Sequence, residues 1–193
     1  MRSAGVEPTT LGFGNQYSIQ LSYERIETGA QYSVFLHAPP APDRAKNAIV
    51  HGMSFSNPAP QDICKLLREV RSVAVVGLSS NPARPSFHVA QALQSFGYRI
   101  FPVHPKVTEV LGEKAYPDLE SLPELPDIVD VFRAPEHVPA IVDSCISLGI
   151  RNLWFQDGVV HEEAALRAKR AGITVVMDRC MFRDHTQLCG TAP

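Results

Sequence analysis

The chain has 193 residues, 45% hydrophobic and 20% charged, with 18 Lys and Arg against 20 Asp and Glu for a net charge of -2. Those figures describe an ordinary globular protein of one domain with some excess length, and they leave no basic surplus for a nucleic-acid backbone or an anionic membrane surface. The longest apolar runs are about four residues, such as Val73 to Val76, far short of the roughly 20 that a bilayer-crossing helix needs.

Residues 1–52 carry scattered Ser, Thr, Gln, Tyr and Gly and no sustained period of 2 or 3.6 among their apolar positions. They are expected to lie outside the fold, as an upstream stretch of the reading frame or a disordered tail. The run Pro39-Pro40-Ala41-Pro42 resembles a linker, and residues 53–193 are the expected domain. The N-terminus has no apolar core for a secretory signal, and Glu7, Glu24 and Glu27 argue against a transit peptide. Cys64, Cys145, Cys180 and Cys189 are widely spaced without a CxxC pair, which predicts free thiols and a cytoplasmic protein.

Ile63, Leu66, Leu67 and Val70 fall at i, i+3, i+4 and i+7 and predict the first helix. Val73 to Gly77 follows as a buried strand. Val89, Leu93 and Phe96 mark a second helix, which Gly97 can close in the left-handed conformation. Arg99 to Val103 is the second strand, placed toward an edge or bulge by Pro102. Leu111 to Asp127, with Pro117, Pro123 and Pro126, predicts turns and a short helical piece in place of a regular crossover helix. Ile128 to Phe132 is the third strand, and Val138, Ile141, Val142, Cys145 and Ile146 give an amphipathic helix closed by Gly149. Strands Asn152 to Phe155 and Thr174 to Met177 flank a helix from about Glu162 to Ala171 closed by Gly172. The alternation predicts an α/β, Rossmann-like doubly wound domain: a five-stranded, mainly parallel sheet with helices on both faces.

Ligands of such folds sit at the carboxyl ends of the strands. Gly77 lets the chain turn there, and Ser79, Ser80 and Asn81 offer donors ahead of a helix N-terminus, a combination that suits phosphate. The same residue types are the usual formers of a plain turn. A nicotinamide dinucleotide fits poorly, because the three-glycine fingerprint keeps only Gly77. The second strand, moreover, ends in His104-Pro105-Lys106 rather than an acidic residue. A cation there suits a phosphorylated ribose, which leaves NADP or coenzyme A, with the missing glycines weighing against NADP.

Val73-Ala-Val-Val-Gly-Leu-Ser-Ser, Arg84-Pro-Ser, Gly97-Tyr-Arg-Ile, Pro102-Val-His-Pro-Lys, Val110-Leu-Gly-Glu-Lys-Ala-Tyr and Val176-Met-Asp-Arg-Cys, in this order, closely resemble the small stand-alone CoA-binding proteins. The Rossmann-like domain of that family is similar to the nucleotide-binding domain of the succinyl-CoA synthetase α subunit. The resemblance covers about Gln61 to His185. It implies that Gly77, Ser79, Ser80 and Asn81 cradle the coenzyme's phosphates, with Arg84 at the following helix. It implies too that His104, Pro105 and Lys106 lie near the adenosine part, and that Phe132, Arg133, Gln156 and Gly158 border the CoA groove. His104 is a departure, since relatives often carry Asn there.

Several residues have plainer explanations. His161-Glu162-Glu163 stands at a helix start, where acidic residues complement the dipole, and it lacks the convergent ligands of a zinc site. His185 beside Asp184 has an equally weak claim as a ligand, and Trp154 and Phe155 are expected in the core. Cys180, after the last strand and beside Arg179, is the candidate redox thiol, able to form a mixed disulfide with a coenzyme thiol; its plainer role is a small buried hydrophobe. No catalytic triad is recognisable. The expected function is binding of CoA or acyl-CoA by a carrier, sensor or regulatory module without metal, membrane or nucleic acid. The alternatives are a CoA-dependent transferase, the CoA-binding half of an acyl-CoA synthetase (ADP- or GDP-forming) with a separate ligase chain as partner, and an NADP-binding oxidoreductase.

Overall fold

The computed structural model describes residues 54–190; the expected N-terminal extension lies outside the described residues. Five parallel strands, β1 (Ser72–Val76), β2 (Arg99–Val103), β5 (Ile128–Val131), β6 (Asn152–Phe155) and β7 (Thr174–Val176), form one sheet in the order β2-β1-β5-β6-β7. The expected α/β Rossmann-like architecture is the one observed. Strand order reverses at β1, which starts the chain outward to β2 and then back across to β5, so a crevice opens at the carboxyl ends of these strands.

The two sheet faces carry separate cores because side chains alternate along each strand. On one face Ala74, Val76, Val129, Val131, Leu153 and Phe155 pack with Val138, Val142 and Cys145 of α3 (Val138–Leu148) and Ala164, Ala165 and Ala168 of α4 (Glu162–Arg170). On the other, Val73, Val75, Ile100, Ile128 and Trp154 pack with Ile63 and Leu67 of α1 (Pro60–Glu69), Val89 and Leu93 of α2 (Pro85–Ser95) and Met181 of α5 (Met181–Cys189). Trp154 and Phe155 are fully buried, as expected, and the indole Nε1–H of Trp154 donates to the Arg179 carbonyl at 2.6 Å. Gly97 and Gly149 end α2 and α3 with positive φ, the conformation that relieves the last turn of a helix.

Three features differ from expectation. The segment after β2 contains no helical piece: Glu109–Val110 (β3) and Glu113–Lys114 (β4) pair as a small antiparallel hairpin, turning through Leu111 and Gly112, both at positive φ. The chain then runs along the outer edge of β2, with Tyr116 N–H donating to the Pro102 carbonyl at 2.9 Å and His104 N–H to the Tyr116 carbonyl at 2.8 Å. That covers the edge on which Pro102 sits, and covered edges resist strand addition.

The second difference is α5, which the sequence reading leaves out. Met181, Asp184 and His185 are buried at helical spacing. His185 stacks on Phe96 with ring centroids 4.2 Å apart, and Tyr98 meets it edge-on. Burial lowers the His185 pKa, with a further push from Arg68. A packed, neutral imidazole is thus its role.

Third, Cys64 and Cys189 are not free thiols. Packing of α5 against α1 brings their Cα atoms to 5.3 Å, and the two form a disulfide across 125 residues of sequence. Their spacing carries no signal of this, because only the α1–α5 contact brings them together.

The leader ahead of α1 also contributes. Asn57 Nδ2–H donates to the Met177 carbonyl at 2.9 Å, and Met177 N–H donates to Asn57 Oδ1 at 2.7 Å. A side chain therefore completes the backbone hydrogen bonding next to the edge strand β7.

Candidate functional site

Parallel pairing in register brings the strand ends to one side. Val76 lies opposite both Val103 and Val131, and Val131 opposite Phe155. The residues that follow, Gly77, His104, Phe132 and Gln156, therefore share one edge of the sheet. They line an open groove of about 720 Å³ together with Ser79, Arg84, Arg133, Gly158 and Cys180. Ser80, Asn81, Pro105 and Lys106 are exposed in the adjoining loops and are not part of the groove wall.

Gly77 is where the loops converge. Its N–H donates to the Val103 carbonyl at 2.8 Å, while Phe132 N–H donates to the Val76 carbonyl at 2.8 Å. Its φ is +89°, and a Cβ at this position would stand 2.7 Å from the Phe132 carbonyl oxygen. Only glycine satisfies both the turn and the close approach.

The loop that follows organises itself. Ser79 N–H donates to Ser86 Oγ at 3.1 Å, Asn81 N–H to Ser79 Oγ at 3.1 Å, and Ala83 N–H to Asn81 Oδ1 at 2.9 Å. The loop N–H groups of Ser79 and Asn81 are thus committed internally, and Asn81 forms an Asx turn. No side chain caps α2; Pro85 has no N–H and Phe87 N–H donates to the Arg84 carbonyl at 3.1 Å, so the Ser86 N–H, at the groove wall, is the first-turn donor left over.

Positive charge gathers at the same end. The His104 pKa is lowered by burial first and then by the charges of Arg133 and Lys106. Lys106 N–H donates to His104 Nδ1 at 3.1 Å, which fixes the turn. Arg84, Lys106 and Arg133 pair with no carboxylate of the described residues, whereas Arg99, Arg167, Arg179 and Arg183 each do. A cluster of unpaired cations beside an uncapped helix start favours an anionic ligand.

At the other end, Gly158 N–H donates to Asp178 Oδ1 at 2.8 Å and joins the loops after β6 and β7. Cys180 is half-buried on the groove wall. The neighbouring Arg179 is engaged by Asp184, with Nη2–H donating to Oδ1 at 2.8 Å. His161 is a helix cap, its Nδ1 accepting from Ala164 N–H at 3.2 Å.

One residue beneath the groove was not singled out by sequence reasoning. Asp130, in β5, is completely buried between Val75 and Trp154 of the neighbouring strands. Gln156 Nε2–H donates to both of its carboxyl oxygens at 2.9 Å. Burial pushes its pKa up to about 8, against the pull of the Gln156 and Val131 hydrogen bonds. The signal was one polar residue inside an otherwise apolar strand.

The sign of the consequence for stability follows from proton counting. Between the ordinary carboxylate range and about 8, the folded protein holds a proton that the unfolded chain releases, so stability falls as pH rises. The lowered pKa values of His104 and His185 contribute in the opposite sense over the same range, so the expected result is a difference in thermal midpoint, wild type minus Asp130→Asn, that declines from about pH 5 to about pH 8. Melting curves across this range check it; parallel wild-type and variant curves would contradict it.

Comparison with known proteins gives four results. The family described as CoA binding domain matches residues 71–186. An uncharacterized protein of Bacillus subtilis, YneT, is 40% identical over 131 residues, covering 68% of this chain and 97% of that protein. A hypothetical protein from Pyrococcus horikoshii has the same fold in its solved structure, with a TM-score of 0.66 and 35% identity over 70% of this chain and 99% of its own. An ADP-forming acetate–CoA ligase of Archaeoglobus fulgidus is 25% identical over 130 residues; the match takes in 62% of this chain but only 19% of the ligase.

Proposed function

The chain belongs to the CoA binding domain family, and from that premise we propose that its groove binds coenzyme A or an acyl-CoA and that the protein acts as a carrier, sensor or regulatory module. The observation that carries this reading is the order of chemistry along the groove. Lys106, Arg84 and Arg133, without a carboxylate partner among the described residues, follow β2, β1 and β5, the uncapped start of α2 adjoins them, and a thiol follows β7. Adjacent strands are about 4.8 Å apart, so three spacings place Cys180 on the order of 14 Å from the β1 loop. An extended pantetheine arm covers that distance and ends in a thiol. The single glycine at the loop supports CoA over NADP.

A second reading is supported by the ligase match: this chain is the CoA-binding half of an acyl-CoA synthetase whose ligase half is a separate chain. Copurification of an ATP-binding partner chain would favour it, and a CoA-dependent transferase would reveal itself by acyl transfer in the isolated protein. Both readings carry the expected cytoplasmic setting, for which the Cys64–Cys189 disulfide removes the free-thiol argument. Mass spectrometry of the ligand retained on native purification tests the main reading. A CoA or acyl-CoA mass supports it, and an NADP mass overturns it.

Cys180 belongs to the same reading as a redox thiol. Of the four cysteines, Cys64 and Cys189 are paired, and burial pushes the Cys145 thiol up to about 12. Cys180 is left as the exchangeable sulfur in the groove. Its thiolate would attack one sulfur of CoA disulfide, forming a Cys180–CoA mixed disulfide and releasing one CoA thiolate. The expected result is a single reducible CoA adduct on wild type, mapped to Cys180 by peptide mass and missing from Cys180→Ser. An adduct on another cysteine, or none, would return Cys180 to a packing role.

A further inference from the structure

We infer that Asp130 is a positioning residue: it holds the Gln156 amide so that Oε1 becomes the groove's hydrogen-bond acceptor for an amide N–H of the ligand's pantetheine arm. The inference rests on the reading that this groove takes coenzyme A.

Asp130 sits where an apolar residue would serve the core. It is 0% exposed, in register with Val75 and Trp154, and no cation of the described residues pairs with it. A buried carboxyl without compensation is costly, and side-chain compensation here comes from one group, the Gln156 amide. Gln156 is fixed from both directions. Its backbone N–H donates to the Val131 carbonyl at 3.3 Å, and its carbonyl accepts from Val159 N–H at 2.9 Å. With Nε2–H facing both carboxyl oxygens of Asp130, Oε1 points away from the carboxyl.

Oε1 accepts no hydrogen bond from a described residue, yet it is not an orphan in the interior. Among the described residues, the buried side-chain polar atoms without a partner are Arg167 Nε and His185 Nδ1. Gln156 is only 3% exposed, and the groove is the opening that it lines. The residue thus presents Oε1 to the groove as an acceptor. β6 lies two strand spacings from β1, roughly 10 Å from the phosphate loop. At that distance the coenzyme offers the secondary amides of its pantetheine arm rather than its nucleotide.

The test is titration calorimetry on the full chain with two ligands, CoA and adenosine 3′-phosphate 5′-diphosphate, which keeps the nucleotide phosphates and lacks pantetheine. Asp130→Leu and Gln156→Leu should each weaken CoA by about five- to tenfold, the value of one hydrogen bond, while the nucleotide stays within about twofold. Asp130→Asn, which retains an acceptor for Nε2–H, should remain within about threefold of wild type for CoA. The double variant Asp130→Leu/Gln156→Leu should match Gln156→Leu alone, because one residue acts through the other. Wild-type CoA affinity in Asp130→Leu, or equal losses for both ligands, would overturn the positioning role while leaving the CoA reading intact. Should Asp130→Leu not fold, Gln156→Leu still decides: unchanged CoA affinity overturns the inference. A wild-type chain that binds the nucleotide but gains nothing from pantetheine also overturns it, whereas one that binds neither ligand overturns the CoA reading itself.

Discussion

Gly77→Ala should be among the most damaging single substitutions in the groove, lowering stability by about 2–4 kcal/mol and CoA affinity by at least tenfold. Two costs coincide there. The added Cβ would lie 2.7 Å from the Phe132 carbonyl oxygen and 2.9 Å from Arg133 Cδ, and φ is +89°. The Arg133 side chain can move aside; the Phe132 backbone cannot do so without disturbing its own bond to Val76. Either response displaces the loop after β5 from the loop after β1, so binding and stability fall together. Gly158→Ala is the control. Its φ is +77°, but a Cβ there meets nothing within 4 Å, which leaves only the left-handed strain of about 1–2 kcal/mol. Urea unfolding of both variants checks the contrast, and equal losses would show that the contact with Phe132 has no energetic weight.

The second large effect is expected at Lys106. The resemblance places it near the adenosine part of the ligand, and its charge is felt at His104 together with that of Arg133. It is exposed, outside the groove wall, and pairs with no carboxylate of the described residues. Such a side chain is available to close over the 3′-phosphate of a bound ribose. A charge-assisted hydrogen bond contributes about 1.5–3 kcal/mol, so Lys106→Ala should weaken CoA by about tenfold or more. Wild type should prefer CoA to dephospho-CoA by a similar factor, and the variant should lose that preference. The comparison of two ligands on two proteins separates the phosphate contact from a general loss of positive charge, which would weaken both ligands alike. Equal affinities throughout would reject the assignment.

The parts of this fold that were legible in the sequence are those governed by periodicity. Val73 to Val76 and Ile128 to Val131 are buried runs, and the faces of α1, α2 and α3 follow from helical spacing of apolar residues. Their carboxyl ends then follow from parallel topology, which is why the glycine, serine and cationic residues of the groove could be named in advance. The hairpin at Glu109 to Lys114 was not legible, because two residues per strand are too few to show alternation. Helix α5 had the right spacing at Met181, Asp184 and His185, but two of those three side chains are polar, and their burial depends on Arg179, Phe96 and Tyr98. The pairing of Cys64 with Cys189 and the support of Gln156 by Asp130 are tertiary facts. Each joins residues from elements that become neighbours only in the folded sheet.

The most direct measurement is a calorimetric titration of the full chain with CoA and, separately, with NADP. The groove described above predicts one CoA bound per chain, with NADP at least tenfold weaker, because a single glycine and a cation cluster face the ligand where a dinucleotide fold presents three glycines. Tighter binding of NADP than of CoA, or no heat with CoA at any accessible concentration, would contradict it.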